Sequence, residues 1–102
     1  MIQAIRCLAE TRRIRITYHA KSEMEVDDVA APDMARALAA LSSELIEDYP
    51  DDRRGHSYLV LGWLNPEEPV HVCCAIHDDE LVIITVYRPD GSTWMNDWRT
   101  RR

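Results

Sequence analysis

The sequence predicts an α+β domain, with N-terminal helices packed on one face of a four-stranded, mainly antiparallel sheet. Two observations carry this expectation. Apolar residues recur at helical spacing through residues 1–45 and at strand spacing through 46–90. The strand candidates are joined by turns far shorter than the dozen or so residues that a parallel crossover needs, so neighbours run antiparallel. Helices gathered at one end of a chain and sheet at the other make an α+β arrangement in a single domain of 102 residues. Residues 91–102 follow as a tail.

The elements follow in order. Ile2, Ile5 and Leu8, with Ala9 alongside, share one face of a helix over 2–10. "RIRIT" at 13–17 alternates and reads as extended. Tyr18 to Glu25 is a short helix-prone stretch. Pro32 suits the first turn of a new helix, and Asp33 suits its positive end. Met34, Leu38, Leu41 and Leu45 recur as one buried stripe, loosened at Ser42 and Ser43. "ELIEDY" is a strand closed by Pro50, and "PDDRRGH" is a turn-rich connection. "SYLVLGWL", "VHVCCAIH" and "LVIITVYR" are the next strands, separated by "NPEEP" and "DDE". "PDGSTWMNDWRTRR" completes the chain.

Aliphatic, aromatic and sulfur residues make up 46% of the chain, too much for a disordered polymer. No apolar run has the length of a membrane helix or a signal peptide, so no membrane partner is expected. Cys7, Cys73 and Cys74 are odd in number, and two are adjacent, which fits a reduced, cytoplasmic protein. The net charge of −6 is uneven: residues 1–20 carry +3, 21–52 carry −8 and 53–102 carry −1. That balance argues against nonspecific coating of nucleic acid, while leaving room for a local basic groove.

The pleat sorts the strand side chains. Val70, Val72, Cys74 and Ile76 point one way; His71, Cys73, Ala75 and His77 point the other. On the last strand Val82, Ile84 and Val86 share a face, and Leu81, Ile83, Thr85 and Tyr87 share the opposite one. Aliphatic sets belong against the helices, so His71, Thr85 and Tyr87 are expected on the face left open. Such residues are also ordinary on a half-solvated sheet. No metal is expected: His71 and His77 on an extended strand stand about 20 Å apart, too far for one ion. Cys73 reads as a small hydrophobe. Trp94 and Trp98, interleaved with arginines, suit stacking on single-stranded RNA or docking on a partner or a second subunit. Equally, Trp94 can fold back to plug the core. Tyr49 and Tyr58 read as packing or rim residues.

Three stretches together are similar to a known family: "YHAKSEM" at 18–24, "IEDYPDDRRGHSYLVLGW" at 46–63 and "VHVCCAIHDDELVIITVYRPD" at 70–90. They resemble the bacterial domain-of-unknown-function family 4258. The resemblance implies a RelE-like fold, related to RelE-type toxins and colicin-like ribonucleases. It implies a toxin-type ribonuclease of a toxin–antitoxin pair that works without metal or other cofactor. His19 and His71 would then be the proton-transfer groups, and Tyr87 and Thr85 would orient a phosphate or stack a base. Arg54 and Arg88 would supply charge, and Trp94 and Trp98 would contact RNA. RNA and an antitoxin protein covering the open sheet face are the implied partners, with a homodimer as a further expectation. The chain departs from the family where arginine is usual and Glu23 stands, and where Asp27 and Asp28 replace Arg-Gly. Those departures favour the alternative, a non-catalytic protein- or RNA-binding module on the same fold, so catalysis itself is left open.

Overall fold

A computed structural model describes residues 1–102 as three helices and a five-stranded mixed sheet. The order along the chain is α1 (Ile2–Glu10), β1 (Ile14–Ile16), α2 (Tyr18–Val26), α3 (Ala31–Ala39), β2 (Glu44–Tyr49), β3 (Ser57–Asn65), β4 (Glu68–His77) and β5 (Glu80–Tyr87). Across the sheet the strands lie β1-β5-β4-β3-β2. The α+β class and the antiparallel β2–β5 run agree with the sequence. The strand count does not, and one of the four pairings is parallel, which makes the sheet mixed. "RIRIT" supplies a fifth strand, β1, paired parallel to β5 with Ile14 opposite Leu81 and Ile16 opposite Ile83. No short turn joins these two strands, so nothing local dictated their relative direction.

One irregularity decides which side chains reach the core. Cys73 lies opposite Thr85, but Cys74 lies opposite Ile83, which leaves Ile84 as an extra, unpaired residue in β5. The bulge shifts the alternation by one. Leu81, Ile83 and Val86 therefore all join the core, whereas strict alternation puts Val86 with Val82 and Ile84. Beyond the bulge, Thr85 and Tyr87 stay beside Cys73 and His71, as expected.

The helices cover one face. Ile5 and Ala9 from α1, Ala20 and Met24 from α2, and Met34, Ala37 and Leu38 from α3 pack on Val60, Val70, Val72, Cys74, Leu81, Ile83 and Val86. Helix α3 lies close on β3: a Cβ built on Gly62 would stand 3.2 Å from the Ala37 Cβ. The stripe expected to run on to Leu41 breaks because α3 stops at Ala39. Ala40 is extended, and Leu41 is 88% exposed. The turn is held by Arg6, whose guanidinium donates to the Ser43 hydroxyl at 3.0 Å and to the Leu41 carbonyl at 3.0 Å.

Helix α2 starts with Thr17, whose hydroxyl accepts from the Ala20 N–H at 3.1 Å. It lies along the edge of β5 where the short β1 has ended. There the Val86 N–H donates to the Glu23 carboxylate at 3.0 Å, and the Arg88 N–H donates to Asp27 at 2.9 Å. Glu23 and Asp27 thus satisfy backbone donors that lack a strand partner. None of the helices is long and apolar enough to cross a membrane.

The opposite face is partly covered, not by a helix but by residues 91–102. This strap folds on itself through a bridge between Trp94 and Arg101, a Met95 N–H to Thr100 carbonyl bond of 2.8 Å and an Arg102 N–H to Thr93 carbonyl bond of 2.9 Å. Arg99 makes a two-pronged pair with Glu44 at 2.9 and 2.8 Å, and Arg101 does the same with Glu47 at 2.8 and 2.9 Å. Trp94 is 2% exposed, so it plugs the sheet rather than leading a frayed tail.

The close approach at Gly62 yields a test. Gly62→Val should lower stability by about 1–3 kcal/mol through overpacking against Ala37, read as a lower urea midpoint at unchanged m-value.

Candidate functional site

The strap divides the non-helical sheet face into a sealed half and an open half. His71, from the middle of β4, anchors the sealed half and is fully buried. Its Nε2 lies 2.7 Å from the Trp98 carbonyl oxygen, and its Nδ1 lies 3.0 Å from the Tyr87 hydroxyl. A carbonyl only accepts, so Nε2 carries the proton and the Tyr87 O–H donates to Nδ1. The neutral imidazole is thereby fully satisfied. Trp94 stands edge-on to it with ring centroids 4.4 Å apart, and the Arg101 guanidinium lies 4.6 Å over the Trp94 ring.

Charge around this imidazole is balanced by neighbours from β2 and the strap. Burial depresses the His71 pKa, the Trp98 carbonyl and Glu47 oppose that shift, and Arg101 reinforces it. Glu47 is held below the usual carboxylate range, first by its bond from Arg101; it also accepts from the Tyr49 hydroxyl. Burial pushes the Tyr87 phenol up to about 12. The cluster is thus a histidine, two tyrosines and a glutamate closed by an arginine, on side chains from β2, β4, β5 and the strap.

The open half is a groove of about 650 Å³. The register places Arg15 opposite Val82, and Val82 opposite Ala75, in one row across β1, β5 and β4. Ala75, Val82 and Ile84 give an apolar floor. Arg15 and His19 stand on its wall beside β1 and the start of α2, Arg54 and His56 come from the loop before β3, and His77 ends β4. Each of these basic side chains has an acid beside it. Arg15 is 3.7 Å from Glu80, His19 is 3.4 Å from Glu23, Arg54 is 3.3 Å from Asp52, and His77 is 3.9 Å from Asp78. His56 pairs with Asp48 and stacks on Tyr58 at 4.5 Å between centroids. Asp52 is pulled to about 2, chiefly by the Arg54 backbone N–H and then by the Ser57 hydroxyl and the Arg54 guanidinium. A second depression of about 340 Å³ lies between α2 and the edge of β5, and His19, Ser22, Val26 and Tyr87 line it.

The expected site residues fall into separate environments. His71, Tyr87, Trp94 and the Trp98 carbonyl come together beneath the strap, where Trp94 offers no free face for a base. Thr85 lies opposite Cys73, half-buried. His19 is exposed and shares the groove wall with Arg54, but His71 does not line that groove. Arg88 is committed to the fold: its guanidinium donates to the carbonyls of Asp27 at 2.8 Å and Asp28 at 3.1 Å, and to Glu68 at 3.0 Å. His56, Arg15 and the Glu47–Tyr49 pair belong to the two halves without having been singled out. Arg15 was legible in principle, since the alternation of "RIRIT" puts it opposite Ile14 and Ile16. No three His, Cys, Asp or Glu side chains converge to hold a metal ion.

Fold and site together define a small α+β domain whose sheet carries helices on one face, and a strap beside an imidazole-lined groove on the other. The chain belongs to the family described as domain of unknown function (DUF4258), which matches residues 16–88. That span runs from the end of β1 through β5 and includes every residue of the sealed cluster except those of the strap. No curated protein and no solved structure matches the chain.

The buried imidazole sets a pH dependence. Its folded-state pKa lies below the ordinary value of 6.5, so the folded state holds fewer protons than the unfolded one in the interval between the two. Stability should be full above pH 6.5 and should fall as pH drops below it, with a slope up to about 1.4 kcal/mol per pH unit. Chemical denaturation between pH 7 and 5 measures this. In His71→Gln, less stable throughout, that slope should vanish, leaving only the carboxylate loss at lower pH from Glu44, Glu47, Asp52, Glu68, Asp90 and Asp97.

Proposed function

We propose that this chain is a RelE-like domain acting as a metal-independent, toxin-type ribonuclease, with single-stranded RNA lying in the open groove. The observation that supports this is the groove wall, where three imidazoles and two guanidinium groups face one concavity above an apolar floor. Cleaving a ribose–phosphate chain without metal needs a base, an acid and a cation on the phosphate. In this reading His19, with Glu23 beside it, takes the 2′-hydroxyl proton as the 2′-oxygen attacks phosphorus. His77, entering protonated, gives its proton to the 5′-oxygen as the P–O bond breaks. The products are a 2′,3′-cyclic phosphate and a 5′-hydroxyl. Arg54 and Arg15 hold the phosphate, and Ala75, Val82 and Ile84 accept the flat face of a base. An antitoxin protein, or a second copy of the chain, laid over this half of the sheet would block it.

A second reading has its own support. The carboxylate beside each groove cation weakens the field a phosphate would feel. That favours a non-catalytic module that binds RNA or protein without cutting.

Incubation of the purified chain with single-stranded RNA in excess chelator separates the two. The ribonuclease reading requires cyclic-phosphate ends and a rate reduced roughly 100-fold or more in His19→Ala and in His77→Ala. Intact RNA retained by the wild type, with affinity weakened in Arg54→Ala, supports the binding module. Neither cleavage nor retention removes RNA from the account.

A further inference from the structure

We propose that the sheet surface beneath residues 91–102 is a docking groove for a basic, tryptophan-bearing segment of a partner protein, and that the strap is its resident occupant. The proposal stands apart from the ribonuclease reading, since no RNA enters it.

The way the strap is held carries the proposal. All of its backbone–backbone hydrogen bonds close within residues 90–102, and none reaches the sheet. Its hold on the sheet is by side chains and one carbonyl: Arg99 on Glu44, Arg101 on Glu47, Trp94 against His71, and the Trp98 carbonyl on the His71 imidazole. A segment that folds as the strap does, with a tryptophan, two arginines two residues apart and a free carbonyl beside them, offers the same contacts. The charge complementarity is specific, because both carboxylates belong to β2, within the most acidic stretch of the molecule, and both accept two-pronged guanidinium bonds.

Two further features make the occupant replaceable. The ion pairs are partly exposed and so are screened by water, with side-chain exposures of 42% and 45% at Arg99–Glu44 and 54% and 22% at Arg101–Glu47. Trp98 also sits at φ 61°, a left-handed conformation that a bulky side chain adopts only under strain. The receiving residues Glu44, Glu47, His71 and Tyr87 all lie within the span that defines the family, 16–88, whereas the strap lies outside it. Without the strap, Glu44 and Glu47 would lose their guanidinium partners and the His71 Nε2–H would lose its carbonyl acceptor. It is built to be covered, and by positive charge.

The test uses the full chain carrying Arg99→Glu and Arg101→Glu, with a synthetic peptide of residues 91–102 added in trans. His71 is followed by NMR. The paired substitution should free the imidazole to titrate near its ordinary value, and the native peptide should bind and restore its protection. The wild type, whose strap competes at high effective concentration, should bind the peptide roughly 100-fold more weakly. A peptide with glutamate at both arginine positions should not bind. If the strap variant fails to fold, Glu44→Lys with Glu47→Lys replaces it: that chain must also release His71 and must prefer the glutamate peptide. Equal binding to wild type and variant, or an imidazole that stays protected without its arginines, overturns the proposal.

Discussion

The extra residue at Ile84 governs both faces of this sheet. A β-strand presents alternate side chains to opposite sides, so a strictly paired β5 would give the helices Val82, Ile84 and Val86, or else Leu81, Ile83 and Thr85. The first set would leave Leu81 and Ile83 on the outer face, and the second would turn Thr85 toward the helices. With one residue unpaired, Leu81, Ile83 and Val86 all reach the helices, while Thr85 and Tyr87 stay beside Cys73 and His71. The same shift brings the Val86 and Arg88 N–H groups to the edge where α2 offers Glu23 and Asp27. Core, open face and edge thus follow from a single local insertion, in keeping with the tendency of bulges to re-aim side chains next to sites.

Charge in this protein is arranged as neutralised pairs rather than as a field. Acids of the stretch that dominates the net charge are matched by cations brought beside them, Glu44 and Glu47 by the strap and Asp52 by Arg54, and outside that stretch Glu68 is matched by Arg88. Pairs of this kind contribute little each when solvated, but they fix geometry. They hold the strap in register over His71, and the groove's imidazoles are paired in the same way.

Much of the fold was legible from residues. The period change near residue 45 and the short turns gave the helices, the antiparallel strands and their boundaries within a residue or two. Three things were not. The parallel pairing of β1 depends on a contact between residues 14 and 81 that no local turn announces. The bulge leaves no mark in a run as uniform as "LVIITVY", where either phase looks apolar. The end of α3 looked like a continuing stripe because Leu41 falls at helical spacing, although it is exposed and Leu45 belongs to β2. For the site, alternation correctly put His71, Thr85 and Tyr87 on one side of the sheet. It could not say that a distant segment would cover part of that side, since the strap's grip depends on arginines about 55 residues away from their acids.

The carboxylates at the β5 edge have a consequence for how the chain behaves among its own copies. Leu81–Tyr87 is its most β-prone stretch, and a bare flank there would be a template for other chains to add to. Beyond the three residues covered by β1, that flank shows an incoming strand two negative side chains already bonded to its amide hydrogens. Glu23 and Asp27 close the ladder without adding a strand to it, so at these two positions the flank has no free amide for another copy to pair with.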